Sequence, residues 1–140
     1  MTAQANFILY VADQDAATRF WRTVLEATPT LDVPGMTEFS LGSGAVLGLM
    51  PEAGIRALLG PALPDPAAAR GHPRAELYLT VDDPAAFHGR ALAAGAVELS
   101  PLSRRSWGDD AAYSLDPDGH VIAFAHAGRT AAPSQRGDAR

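Results

Sequence analysis

The chain lacks cysteine altogether. That excludes disulfides, thiolate nucleophiles, Cys-ligated zinc and iron–sulfur clusters. It also lacks lysine: all eleven basic residues are arginine, so Schiff-base chemistry and a P-loop lysine are ruled out. No apolar run is long enough to span a bilayer, and the MTAQANFIL start has no basic, hydrophobic and cleavable signal pattern. A cytoplasmic protein with no membrane partner is the expectation. No basic block exists and the net charge is −5, so nucleic-acid binding has no electrostatic support. The acidic balance serves solubility, or favours a cationic ligand.

What is present suits one domain. The 140 residues can bury a core, and the 47 % apolar and 19 % charged fractions are ordinary globular values. Phe7 to Val11 reads as a strand. A helix over Ala16–Ala27 follows, with Phe20, Val24 and Ala27 on one stripe, Asp13 or Asp15 as cap, and Thr28-Pro29 as stop. Met36–Leu41 and Ala45–Met50 flank Gly42-Ser43-Gly44 as a β-hairpin. Residues 52–74 are proline-rich and read as a linker or lid. The opening pattern then returns. Glu76 to Val81 forms a strand, Asp83 caps a helix Pro84–Ala94 that Gly95 stops, and Ala96–Leu99 forms another strand. A hairpin of 111–115 and 120–126 turns at Asp116-Pro117-Asp118-Gly119. From residue 128 to 140 a flexible tail is expected.

The two halves superimpose. Asn6…Asp13 matches Glu76…Asp83 at a constant offset of seventy residues, and Val46-Leu47-Gly48-Leu49 matches Val121-Ile122-Ala123-Phe124 at seventy-five. Each half, about 5–51 and 75–127, is strand, helix and three strands. A lone unit of that size cannot bury both its helix and the far face of its sheet. The expected fold is therefore α+β within residues 1–127. Two paired βαβββ modules form a curved sheet around a concave cavity, with the helices on the convex side. Phe7, Leu9, Val11, Leu77, Leu79, Val81, Ile122 and Phe124 should be buried under those helices.

This element order, the strand–Asp–helix openings and Trp107-Gly108…Tyr113…Asp116-Pro117-Asp118-Gly119-His120 resemble the vicinal oxygen chelate superfamily. That group includes glyoxalase I, extradiol dioxygenases and bleomycin-resistance proteins. The resemblance implies divalent-metal ligands on the first and last strands of each half, which here fall on Asn6, Gly48, Glu76 and Ala123. Metal of that kind requires three or four imidazole or carboxylate donors. Gly48 and Ala123 offer none, Asn6 is a weak neutral oxygen, and only Glu76 is competent. The expectation is no metal and no cofactor. His72, His88, His120 and His126 show no ligand spacing, and His88 is placed on an exposed helix face.

Strand alternation puts Asn6, Tyr10, Glu76 and Tyr78 on the cavity face, with Met50 beside them. Trp107, on a glycine-flanked segment, offers a surface for stacking a planar ligand. Glu76 can meet a cation or act as a metal-free general base; contact with Arg74, Arg104 or Arg105, or plain solvation, are the structural alternatives. The favoured function is a metal-independent small-molecule binder of the bleomycin-resistance type, sequestering an antibiotic or toxic compound. A glyoxalase-like lyase or isomerase, or a dioxygenase using a divalent metal or Glu76, is the alternative. A scaffold for protein interaction is the third. The resemblance further implies a symmetric homodimer.

Overall fold

The computed structural model describes residues 4–128 and divides into two compact units, one ending at His72 and the other beginning at Pro73. In unit 1 the order is β1 (Ala5–Val11), α1 (Gln14–Leu25), β2 (Leu31–Val33), β3 (Met36–Gly42), β4 (Ala45–Pro51) and α2 (Glu52–Leu59). Unit 2 runs β5 (Glu76–Thr80), α3 (Pro84–Ala93), β6 (Val97–Arg104), β7 (Asp109–Leu115) and β8 (Val121–Ala127). The sheets are mixed and four-stranded, ordered β1-β4-β3-β2 and β5-β8-β7-β6. In each, the first strand runs parallel to the last. Each unit is thus a βαβββ module, and the class is α+β. Among the described residues no helix is long and apolar enough to cross a membrane.

Both openings are built alike. Asp13 accepts a hydrogen bond from the Ala16 amide at 2.9 Å, and Asp83 accepts one from Ala86 at 3.1 Å, so each helix has its first turn satisfied by the aspartate that ends the strand. α1 packs chiefly on β3 and β4, burying Phe20, Trp21 and Val24 against Phe39, Leu47 and Leu49. Trp21 therefore belongs to the core. α3 packs on β6, β7 and β8, where Phe87 meets Phe124 with ring centroids 5.6 Å apart. The turn that carries Asp116 is held by that carboxylate. It accepts from the Asp118 and His120 amides at 3.0 and 2.8 Å and contacts His120 Nδ1, while Gly119 adopts a φ of 87°.

Several expectations are corrected. Val11, Ile122 and Phe124 are buried, but Leu9, Leu77, Leu79 and Val81 are half-buried and Phe7 is 50 % exposed. The reason is topological: β1 and β5 end their sheets, while α1 packs chiefly on β3 and β4 and α3 on β6, β7 and β8. α1 begins and ends two residues earlier than the periodicity suggested. β2 is a three-residue strand that escaped notice, and β6 continues through Pro101 to Arg104 by means of two register shifts. His88 is buried rather than exposed, with Nε2 2.9 Å from Glu98. The 52–74 segment contains α2 and two 3-10 turns, Gly60–Ala62 and Pro66–Ala69. Ion pairs Arg56–Asp65 and Arg70–Glu52 tie it to itself. The expected tail lies, beyond Gly128, outside the described residues.

Candidate functional site

In unit 2 the face turned away from α3 brings several polar and aromatic side chains together. Cross-strand register puts Glu76 beside Val121, and Tyr78 beside Ala123, which in turn pairs with Tyr113; Ala111 pairs with Ala125 and Asp109 with Ala127. Phe124 and Ala112, one position out of phase, lie toward the helix. The Tyr78 hydroxyl donates to Asp109 Oδ2 at 2.6 Å and accepts from the Trp107 indole Nε1 at 3.0 Å. The bond from Tyr78 on β5 to Asp109 on β7 runs diagonally across β8 at the level of Ala125. Ala111, Ala123 and Ala125 are fully buried. Small side chains there leave room for the aromatic ring above them.

Burial, reinforced by the hydrogen bond to Asp109, pushes the Tyr78 phenol up from 10.0 to about 12. Tyr78 therefore stays protonated and its proton stays committed to Asp109. The cations nearby are engaged elsewhere. Arg104 pairs with Asp110 at 2.7 Å and lowers that carboxyl's pKa, chiefly through their hydrogen bond. Arg105 lies over the Tyr113 ring, 5.2 Å from its centroid, and donates to the Ala111 carbonyl and Ser100 Oγ. Trp107 is only 8 % exposed and so is not the open stacking surface expected of it, and the Tyr113 ring is covered by Arg105. The face presents the carboxylates of Glu76 and Asp109, which suit a positively charged ligand.

Unit 1 repeats the frame with other side chains. Asn6, Ile8 and Tyr10 pair with Val46, Gly48 and Met50, on the side opposite α1. Thr37 and Leu49, out of phase with them, are buried toward the helix, and Thr18 on α1 reaches Thr37 at 2.9 Å. Of the six sequence-derived ligand residues, Asn6, Tyr10 and Met50 share this face, Glu76 and Tyr78 share that of unit 2, and Trp107 is bonded to Tyr78. Glu76 is solvent-exposed at the first position of β5. Asp109 was not anticipated, Tyr113 figured only in the family pattern, and Arg105 only as a contact for Glu76. Trp107-Gly108 pointed at the region, but pairing of Asp109 with Tyr78 depends on a register that no spacing near them reveals.

The Glyoxalase/Bleomycin resistance protein/Dioxygenase superfamily model matches residues 3–124. The chain belongs to this superfamily. No curated protein matches it in sequence. Solved structures of similar fold include a glyoxalase-related enzyme from Fulvimarina pelagi, 24 % identical with a TM-score of 0.75 over 90 % of this chain and 88 % of that one. A glyoxalase/bleomycin resistance protein/dioxygenase from Nocardioides is 21 % identical, with a TM-score of 0.72 over 95 % and 88 %. A family enzyme from Burkholderia phytofirmans PsJN is 17 % identical, with a TM-score of 0.75 over 90 % and 99 %. At these identities the likeness concerns the fold.

The superfamily's divalent metal does not fit the residues present. In unit 1 a Cβ added to Gly48 would stand 3.1 Å from Ile8 Cγ1 and 3.3 Å from Met36 Sδ, so hydrocarbon and thioether already fill the place a donor side chain would need. In unit 2 the corresponding Ala123 has no donor and no exposure. Asn6 donates its amide to Glu38 at 3.4 Å. Among the described residues no three His, Cys, Asp or Glu side chains converge as a metal-ligand group.

Proposed function

We propose that this member of the superfamily is a small-molecule-binding protein that works without a bound metal, holding a planar or cationic compound of the antibiotic or toxic-metabolite kind. The observation that carries the reading is the Trp107–Tyr78–Asp109 chain on the face of unit 2, set where the family's metal would require a donor and Ala123 stands instead. A hydrogen-bonded aromatic wall beside carboxylates suits recognition: apolar surface supplies affinity and a few placed polar groups orient the ligand. Trp107 holds the Tyr78 ring in place from beneath, and Asp109 contributes its remaining carboxylate oxygen. Glu76, on the same face, meets positive charge at the solvent side.

Two measurements test this. Metal analysis of protein purified without added metal should find no stoichiometric Zn, Ni, Fe or Mn. Titration with a planar phenanthridinium dye should quench Trp107 fluorescence saturably, and Glu76→Gln should weaken binding by up to about 1 kcal/mol, the worth of an exposed ion pair. One tightly bound metal per chain, lost in Glu76→Ala, would overturn the reading and move the protein to the lyase or dioxygenase class.

A further inference from the structure

Unit 1 holds a carboxylate that the family's strand positions do not anticipate. Glu38 stands in β3 directly opposite Gly48, on the face turned away from α1. It is half-buried, and its side chain's one polar contact among the described residues is the Asn6 amide, at 3.4 Å. No Arg or His among those residues pairs with it. Removing a carboxylate partly from water without a cationic partner is costly. The neighbouring side chains cannot relieve that cost: Ile8 and Met36 close on Gly48, and Leu31 is Glu38's register partner in β2.

We infer that Glu38 is a ligand-binding carboxylate of unit 1 in its own right, and that it takes the donor-rich end of an organic cation, an amidinium or a primary ammonium. The inference goes beyond the reading proposed for unit 2 and stands on unit 1 alone. The geometry specifies the class. Asn6 gives an amide N–H to one carboxylate oxygen of Glu38, and the other oxygen accepts no hydrogen bond among the described residues. A carboxylate with one open oxygen matches a group carrying N–H bonds and a positive charge, and repels carboxylates and phosphates. Around them Ile8, Leu31 and Val33 are 41 %, 38 % and 45 % exposed, an apolar rim for the hydrocarbon or aromatic body of such a cation.

The probes are benzamidinium and its neutral counterpart benzamide, titrated into the full, isotope-labelled chain and followed by amide chemical shifts. Benzamidinium should shift the Asn6, Glu38 and Gly48 amides saturably, with benzamide at least about tenfold weaker. Glu38→Gln, which keeps shape and removes charge, should lose about tenfold or more in benzamidinium affinity while retaining a dispersed spectrum. Asn6→Asp, which adds a second carboxylate, should tighten binding severalfold. Unchanged affinity in Glu38→Gln, or shifts confined to Tyr78 and Trp107, overturns the role of Glu38 and leaves the binder reading intact. A wild-type chain that binds neither benzamidinium nor the phenanthridinium dye overturns both.

Discussion

The two units fasten helix to sheet in different ways. Unit 1 uses a closed polar network. Gln14 Nε2 and Thr18 Oγ1 each reach the fully buried Thr37 hydroxyl at 2.9 Å, Thr37 reaches Asp32 at 3.2 Å, and Gln14 also clasps the Val33 carbonyl and the Gly35 amide. Unit 2 carries Ala112 at the register position of Thr37, Ser114 at that of Phe39, and His88 at that of Thr18. Its joint is made by the Phe87–Phe124 contact and by His88 on Glu98, and it leaves His88 Nδ1 and Ser114 Oγ buried without a hydrogen-bond partner among the described residues. Duplication preserved the frame and the caps. It did not preserve the joint, and the unit with the less complete joint carries the Trp107–Tyr78–Asp109 chain on its opposite face.

The comparison can be tested residue by residue. Phe39→Ala, emptying a site where unit 1 is fully packed, should cost about 3–5 kcal/mol in urea denaturation. A loss below 1 kcal/mol would show that unit 1 is no better filled than unit 2. Thr37→Ala gives unit 1 the side chain found in unit 2 and strands Thr18 and Gln14; a cost of about 1–3 kcal/mol is expected. Ser114→Ala should instead be neutral or stabilising by up to about 1 kcal/mol, since it removes an unpaired buried hydroxyl. Destabilisation there would mean that Ser114 has a partner, such as an ordered water. The caps should not discriminate: Asp13→Ala and Asp83→Ala are each expected to cost about 1 kcal/mol. A separate signal, read by titration, belongs to Tyr78. With the folded phenol raised from 10.0 to about 12, its contribution to stability is complete below pH 10 and is lost as the pH rises toward 12. Phenolate absorbance should therefore show one tyrosine titrating late, and Tyr78→Phe should abolish that late step.

Much of the frame was legible because it is written in local patterns. The aspartate caps, the Gly95 stop, the DPDG turn and the repeat at offsets of seventy and seventy-five each declare themselves within a few residues. Burial along β1 and β5 was not, since alternation gives the face of Phe7 or Leu79 but not how far a helix extends over an end strand. His88 looked like a surface residue for the same reason. At the site, Gly48 and Ala123 were readable as missing donors because absence of a side chain is a local fact. Glu38 and Asp109 were not, because their significance comes from the strand across the ladder: Gly48 for one, and Tyr78, two strands away, for the other. β2 was too short to show any period at all.

The outer strands of the two sheets bear on how the protein keeps from sticking to itself. An end strand with apolar side chains is a template for another chain, and β6 shows Val97, Leu99 and Leu102 at 60 %, 51 % and 38 % exposure. Its ladder is nevertheless interrupted twice, between Glu98 and Ser100 and between Ser100 and Ser103, and Pro101 removes one amide within the break. Arg105 fixes that break by binding Ser100 Oγ and the Pro101 carbonyl, each at 2.9 Å. In unit 1 the outer strand β2 is only three residues long, which blunts the edge by brevity instead. An incoming strand would find no long straight run of backbone to zip along on β2 or β6, so the apolar residues on those two strands can stay in water without seeding fibres.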